Sequence, residues 1–526
     1  DVPSFDRATR DGFAVRFLDI INASENCPAK LRINGYIPAG SEPNLVVSRG
    51  TTVRIDTGAV IPRGADTVVP IEYCSIKDNE VLIYRRVPFG SNIQWAGSDL
   101  RRGELIVQSS TIIDVKHIGG LAACGFSNVK VRRKPRVALF SIGNEIIDPR
   151  EKLSLGKIYD INIHTLLSLI RNFGGEAVIL GRAADSPTDI MNMLIRGLEI
   201  GDIVVSTGAS SVGQSDFIRV ATEKLGAKIL FHGVMSKPGK PVLAAKIRNK
   251  LYIGLPGNPA SAIISFNLYV VPAILKMLGC NIKSKRVWSV KLTSKEYSVK
   301  GRRLYKTIAI KTKENRISYE SLNPASESIS TLLKSDGYFI IPENVEYLDV
   351  GTELPVYSID RYTQYADAII VGVFSPTILR TLVKIANEMS ILIRYVWKSN
   401  EGALISIKRD SADIAILSEK GNGDVIVERE IVLATTKEDT NVVATAYNID
   451  DHRFDIIKVG THQSAIFRLY SNYVDGAIVP REITQLYDLD IELSTYGTEK
   501  LYILVSNDFR YKDEFTKQLR STLTKI

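Results

Sequence analysis

Three short stretches carry residue types suited to holding a phosphate-rich ligand. Gly208, Ser210, Ser211 and Gly213 follow the apolar run Asp202–Thr207. Lys237 and Lys240 stand in Lys-Pro-Gly-Lys-Pro (237–241), and Pro256, Asn258 and Pro259 stand in Gly-Leu-Pro-Gly-Asn-Pro (254–259). Gly and Ser placed after a buried strand leave backbone N–H groups free to approach an anion. The two lysines add positive charge, and Gly-Asn-Pro opens a long apolar helix. At the carboxyl ends of parallel strands, such motifs describe a site for a phosphate-bearing molecule.

The elements that must position these residues can be read from periodicity. From Arg136 onward, strand and helix patterns alternate. Strands are predicted at Arg136–Ile142, Glu176–Gly181, Asp202–Thr207 and Leu251–Leu255, and helices at Asp160–Phe173, after Ser186-Pro187 with Asp189 completing a capping box, at Asp216–Leu225 and from Pro259. This alternation predicts a parallel sheet covered on both faces. Residues 13 to about 100 are rich in Val, Ile, Gly and Pro with short turn-bounded runs and read as β, and 110–126 read as a helix with a Gly stop. Residues 283 to about 358 turn to β again. The polar stretch Asp360–Gln364 reads as a linker, and a second α/β pattern runs from Ala366 to the end.

The chain has 526 residues, 45% hydrophobic and 24% charged, with a net charge of +9. That is room for several globular domains. No uninterrupted apolar run reaches the roughly 18–20 residues of a membrane span, and no signal peptide is visible. No basic–aromatic interleaving or nucleic-acid motif is present. Cys27, Cys74, Cys124 and Cys280 are scattered without a C-x-x-C pair, which argues against a zinc or disulfide framework and fits the reducing cytoplasm. The positive charge fits either ordinary solubility or attraction of anionic ligands.

The order and spacing of these motifs resemble the molybdopterin molybdenumtransferases (the MoeA type, including the gephyrin E domain). Asp6-Arg7-Ala8-Thr9-Arg10-Asp11-Gly12-Phe13-Ala14-Val15, Thr57-Gly58-Ala59, Gly64-Ala65-Asp66-Thr67-Val68-Val69 with Glu72, Gly97-Ser98-Asp99 and Ser141-Ile142-Gly143-Asn144-Glu145 fall in the family's register. The resemblance covers about residues 1 to 358. It implies that adenylylated molybdopterin and molybdate enter, the phosphoanhydride is cleaved with release of AMP, and the metal is left on the dithiolene sulfurs with magnesium assistance. By family position the catalytic carboxylates are Asp99, Glu145, Asp185 and Asp216, with Glu145 and Asp216 on Mg²⁺. A carboxylate near phosphate repels it unless a metal lies between, and Mg²⁺ needs only one or two per ion. Arg302, Ser326 and Ser328 match positions contacting the oxyanion. A homodimer is implied, in which Asp11, Thr57 and Asp99 act across an interface.

The resemblance also implies the architecture: α/β and multidomain, with two β-rich domains around a parallel-sheet MogA-like domain. The expected division is a helical linker domain of 1–12 and 101–134, N-terminally incomplete because the chain lacks a starting Met; an inserted β domain of 13–100; a MogA-like molybdopterin-binding domain of 135–282; a β domain of 283–358; and a periplasmic-binding-protein-like α/β domain of 359–526.

Each site residue also has a structural alternative. Asp216 or Asp185 could cap a helix, Glu145 could be an exposed side chain, and Arg302 with Ser326 and Ser328 could be a basic hairpin and a polar turn. Three departures from the family pattern are Asn144 in place of a carboxylate, Ala209 in place of a glycine and Gly233 in place of a basic residue. They favour the alternative reading of a non-catalytic molybdopterin-binding sensor or scaffold. In the last domain, helix starts at Ser375, Ser399 and Thr461 are candidate anion sites or mere caps, and Glu401 disfavours an oxyanion at the second. The domains on either side of the linker are each expected to bury a core of their own.

Overall fold

The computed structural model describes residues 1–208, 214–280, 286–313, 316–322, 328–360, 364–418, 423–436, 440–449, 451–487 and 491–523, with the backbone alone described at 214–216, 286–287, 313 and 316. Two compact units result, Asp1–Arg132 and Arg133–Ile526.

The first unit is built on a six-stranded sheet. Its order is Thr67–Pro70, Gly12–Val15, Thr51–Ile55, Ala29–Ile37, Glu80–Ile83 and Cys74–Lys77. Gly12–Val15 is buried throughout because both faces of the sheet are covered. Phe13 and Val15 pack with Val69 and Val81 on one side, and Ala14 packs with Val53 and Val68 on the other. The helix expected over 110–126 is shorter, Val115–Ala123. Asp114 caps it by accepting from the His117 N–H, and its C-cap is Cys124, just before Gly125.

In the second unit, the central sheet runs Glu176–Ala183, Arg136–Ile142, Ile203–Thr207, Lys250–Leu255, Leu243–Ile247, Lys228–His232. The first four strands are parallel, and the last two are antiparallel to their neighbours. The four parallel strands are those the alternation predicts, and two antiparallel strands extend the sheet. The short Arg248-Asn249 turn, with both residues at positive φ, folds Leu243–Ile247 directly back on Lys250–Leu255. Helices Asn162–Asn172 and Pro259–Met277 cover one face, and Pro187–Ile200 and Gln214–Lys224 the other. Pro259–Met277 forms a continuous helix of 19 residues, long and apolar enough to cross a membrane by length and composition. Its Ile263, Ile264, Phe266, Val270 and Ile274 are nonetheless spent in the core of the central sheet.

The second β sheet comprises Ser236–Lys237, Arg303–Lys313, Gly337–Ile341, Glu353–Ser358 and Arg286–Lys291, with Arg316–Ser321 paired to Arg303–Lys313. Beyond it lies an eight-stranded sheet: Ile393–Trp397, Ala368–Gly372, Ile414–Leu417, Glu492–Val505, Val425–Thr435, Gly476–Pro480, Val442–Thr445 and Asp455–Lys458. Two long antiparallel strands, Val425–Thr435 and Glu492–Val505, join two α/β halves. The three expected helix starts are all capped by their own hydroxyls: Ser375 Oγ accepts from Ile378 N, Ser399 Oγ from Gly402 N and Thr461 Oγ1 from Ser464 N.

Each side of the linker buries cores of its own, and a further core is shared across it. Ala309 and Leu322 of the second β sheet share a core cluster with Ala366, Ile369, Val371, Val396 and Leu417. Buried charges cross the same boundary. Lys311 pairs with Asp413 at 3.0 Å and with Asp410 at 3.1 Å, Arg394 pairs with Asp336, and Lys398 with Glu320. Periodicity cannot show this, because a lysine in an exposed-looking alternation reads the same whether water or an aspartate meets it.

Between the two halves of the C-terminal sheet, Arg429 is held by Glu482 at 3.0 Å and Glu499 at 2.8 Å. The Glu482 carboxylate also accepts from Ser375 Oγ and Thr377 N. His462 lies against Tyr447, whose hydroxyl donates to Glu499. Burial, with Arg429 adding and Glu482 opposing, pushes the imidazole down to about 4. Its folded value lies below the unfolded 6.5. The stability it contributes is therefore complete above pH 6.5 and falls as acid protonates the unfolded chain first, by about 3 kcal/mol on reaching pH 4. Thermal midpoints of the wild-type chain should fall from pH 6.5 to 4.5, and His462→Gln should flatten that slope. A slope unchanged by the substitution would assign the acid sensitivity elsewhere.

Candidate functional site

The parallel strands of the central sheet end at Ile142, Ala183, Thr207 and Leu255, and the candidate residues gather at those ends. Gly208 leaves its strand at φ +107°, and a Cβ there would lie 2.1 Å from the Ile142 carbonyl oxygen. Only glycine allows the backbone to turn so close to the neighbouring strand. Ala209, Ser210, Ser211 and Gly213 lie outside the described residues. The helix that follows begins at Gln214, so Asp216 sits in its first turn rather than at the cap; its side chain is not among those described.

Two side chains that the motifs did not single out hold the strand ends together. Asn162 donates to Thr207 Oγ1 at 2.9 Å and to the Gly257 carbonyl at 2.6 Å. Thr207 Oγ1 in turn donates to the Pro256 carbonyl at 3.2 Å. The turn Pro256–Asn258 is thereby fixed, Pro259 takes the first position of the helix, and Asn258 is its N-cap residue. A lone Asn at a helix start carries no signal in a single sequence.

The loop after Ile142 joins the next strand end. Asp185 Oδ2 accepts from Asn144 N at 3.1 Å, and Asp185 N donates back to Asn144 Oδ1 at 3.4 Å. Asp185 Oδ1 is buried and has no hydrogen-bond partner among the described residues. An orphaned carboxylate oxygen of this kind suits a cation or a ligand donor. Capping of the next helix falls instead to Ser186, whose Oγ accepts from Asp189 N. Glu145 extends from the same loop, exposed and without a side-chain partner among the described residues. No group of three or more His, Cys, Asp or Glu side chains that could hold a metal occurs among the described residues. Magnesium, which keeps most of its waters, asks for only one or two carboxylates, and the chemistry of Asp185 Oδ1 suits one such ligand.

Lys237 and Lys240 are exposed, and neither has a side-chain bond among the described residues. Ser236–Lys237 pairs in parallel with Arg303–Leu304, so the lysine loop is stitched into the second β sheet beside Arg302. Arg303 is tied to Glu343 through two hydrogen bonds of 2.9 and 3.1 Å, whereas the Arg302 side chain is exposed and unpaired among the described residues. Ser328 caps the short helix Ile329–Lys334 and contacts Ser330 Oγ at 2.9 Å; Ser326 lies outside the described residues.

In the first unit, Asp11 and Thr57 meet. The Asp11 carboxylate accepts from Thr57 N at 2.6 Å and from Thr57 Oγ1 at 2.7 Å, and these bonds hold its carboxyl below the usual value. Asp99 is exposed, its backbone N–H bonded to the Val2 carbonyl.

At the outer edge of the central sheet, a cleft of about 730 Å³ opens beside Asn144. Its walls include Lys157, Arg182, Asp189, Asn192 and Arg196. Apart from Asp189, read from the sequence as part of a helix cap, none of these belonged to a recognisable motif.

The fold is that of an α/β protein with an open, largely parallel sheet, a class whose ligands bind at the carboxyl ends of the strands. Three family models match the chain: the MoeA N-terminal region (domain I and II) over residues 1–125, a probable molybdopterin binding domain over 138–276 and the MoeA C-terminal region (domain IV) over 289–359. The chain is 36% identical over 282 residues to a molybdopterin molybdenumtransferase of Nostoc, covering 53% of this chain and 65% of that protein. A molybdopterin molybdenumtransferase of Haemophilus influenzae is 32% identical, with 53% of this chain and 68% of that protein covered. The chain therefore spans about two thirds of the length of these relatives. Two solved structures of molybdopterin biosynthesis MoeA proteins from Pyrococcus horikoshii superpose with TM-scores of 0.61 and 0.55 at 35% and 29% identity, covering 69% and 68% of this chain and 89% and 88% of theirs. The chain belongs to the molybdopterin molybdenumtransferase (MoeA) family, transferases of molybdenum cofactor biosynthesis. These names do not favour the sensor or scaffold alternative.

Proposed function

We propose that this chain inserts molybdate into adenylylated molybdopterin and releases AMP. The observation that carries this reading is the gathering at one sheet end of Gly208, the Asn144–Asp185 pair, Glu145 and the cations Lys237, Lys240 and Arg302, with Asp185 Oδ1 and these cations unpaired among the described residues. Lysine and arginine side chains without internal partners are free to neutralise a phosphoanhydride and an oxyanion. The loop after Thr207, with Ser210, Ser211 and Gly213, would supply N–H donors. Asn162 keeps the Pro256–Pro259 turn rigid, so the pyrophosphate meets fixed dipoles rather than a mobile loop. Magnesium bound through Glu145, Asp185 and Asp216 would supply charge neutralisation between carboxylates and phosphate. Ser326 and Ser328, with Arg302, would donate hydrogen bonds to molybdate.

Within this reading, the protein works in the cytoplasm as a homodimer, with Asp11, Thr57 and Asp99 reaching the partner's cleft. The domain division at 12, 100, 134, 282 and 358, and the periplasmic-binding-protein-like character of the last domain, belong to the same proposal. The two-half architecture joined by two long strands supports that character. The test is turnover of adenylylated molybdopterin with molybdate by the full chain, read as AMP formed. AMP release that depends on molybdate and magnesium is expected. Binding of the substrate without turnover would instead make the chain a sensor.

A further inference from the structure

One short helix of the second β sheet, Ile329–Lys334, links a proposed substrate contact to the C-terminal domain. It has 6 residues and is capped by Ser328, a serine that donates to molybdate in the proposed reaction. A helix that short does not hold itself together. Little apolar burial holds it either. Ile329 and Leu333 are exposed, and Leu332 is the apolar side chain that turns inward, against the core containing Ile263 and Ile264. The space under the helix is not filled. Leu332 and Ser335 share a cavity of about 280 Å³ with Thr165, Ile263 and Arg394.

The anchor at the other end of the helix comes from the C-terminal domain. Arg394 and Tyr395 stand on Ile393–Trp397, an edge strand of the eight-stranded sheet. Arg394 Nη1 donates to the Lys334 carbonyl at 3.2 Å and to the Asp336 carboxylate, and Nη2 donates to the Gln364 carbonyl at 3.3 Å. The last carbonyls of a helix have no partner within it, and a guanidinium can supply one. Asp336 is 2% exposed, and the same carboxylate oxygen accepts from Ile310 N at 2.7 Å, so the guanidinium is itself held in place. The Lys334 ammonium lies 5.3 Å from the centroid of the Tyr395 ring. The helix also lies against Pro259–Ser265, whose N-cap Asn258 belongs to the strand-end turn. Ser328 and Lys334 are the two ends of one short rod, so a displacement of one displaces the other.

We infer that Arg394 is a positioning residue for the transferase reaction: through it the C-terminal domain fixes the helix behind Ser328 and so sets the affinity of the site for molybdate. This rests on the transferase reading, in which Ser328 meets the oxyanion.

Two measurements on the full chain test it. Arg394→Ala is combined with Asp336→Asn so that no buried carboxylate is left unpaired, and the asparagine keeps an acceptor for Ile310 N. Deuterium exchange at the amides of residues 329–335 should quicken at least about tenfold in this double variant. In turnover, its KM for molybdate should rise at least about tenfold, while KM for adenylylated molybdopterin stays within about threefold of wild type. Two controls keep the Arg394–Lys334 bond. Asp336→Asn alone and Lys311→Met, which loosens the same junction elsewhere, should each leave the exchange and the molybdate KM within about threefold of wild type. Ser328→Ala should raise the molybdate KM, and adding the double variant to it should raise it no further, because both act through one hydroxyl. The assignment is overturned by unchanged exchange in the double variant, by an unchanged molybdate KM, by an equal rise in either control, or by a full additional rise on top of Ser328→Ala. Absence of turnover in wild type would sink the transferase reading and the positioning role with it, and the exchange result would then decide the anchoring of the helix alone.

Discussion

Asp185→Asn is expected to lower turnover about a hundredfold, the effect of about 2.7 kcal/mol on the barrier. The substitution keeps the shape of the side chain and one acceptor for Asn144 N. It removes the negative charge and places an NH₂ where Oδ1 lies buried without a partner among the described residues. A cation or a donor held by that oxygen is lost, while most of the local fold persists. Raising magnesium should recover part of the activity if the lost interaction is with the ion. Ser186→Ala is the matching structural control. It deletes the cap of Pro187–Ile200, should cost about 1 kcal/mol of stability, and should leave turnover unchanged. Wild-type turnover in Asp185→Asn would remove Asp185 from the machinery, and equal losses in both variants would show that the helix start, not the carboxylate, is what matters.

The sequence made the central domain legible because its elements are nearly all amphipathic or wholly buried. Predicted and observed strands at Arg136–Ile142 agree to the residue, and Ile163, Leu166 and Ile170 form the buried face of their helix as the period required. Glycine motifs were equally readable. The Cβ that would collide with Ile142 at Gly208 is a local steric fact, and local facts leave local signatures.

Long-range polar contacts left no such trace. Asn162 binds Thr207 and Gly257 across 45 and 95 residues of sequence, and nothing in its neighbourhood announces either partner. The basic cleft is assembled from a loop lysine, a strand-end arginine and a helix arginine, each of which reads alone as a solvated charge. The same blindness concealed the junction with the C-terminal domain, where Glu320, Asp336, Lys311, Arg394 and Lys398 look like surface residues until the two sheets meet.

That junction should be essential to stability, and Lys311→Met is expected to show it. Lys311 is fully buried, and its ammonium is shared between Asp413 and Asp410. Asp413 is itself 1% exposed, and its second oxygen accepts from Ile369 N at the start of the neighbouring strand. Removing one partner of such a pair typically costs about 3–5 kcal/mol, because the other charge is left buried and unpaired. The thermal midpoint of the transition involving residues 366–526 should fall by roughly 10 °C. Burial already raises the Asp413 carboxyl against the lowering effect of Lys311. Without the lysine it should rise further. A carboxyl whose folded value lies above its unfolded one contributes stability that is present at low pH and lost as pH rises through the folded value. Lys311→Met should therefore recover stability relative to wild type on acidification from pH 7 to 5, the direction opposite to the His462 effect. Adding Asp413→Asn should restore much of the loss at pH 7 and abolish that recovery. For the same reason, a chain ending at Ser358 should be less stable than the full chain, since Lys311, Glu320 and Asp336 would lose their partners and Ala309 and Leu322 their apolar cover. A Lys311→Met midpoint within about 2 °C of wild type, or a deficit relative to wild type that does not shrink from pH 7 to 5, would show that the buried pair does not hold the two sheets together.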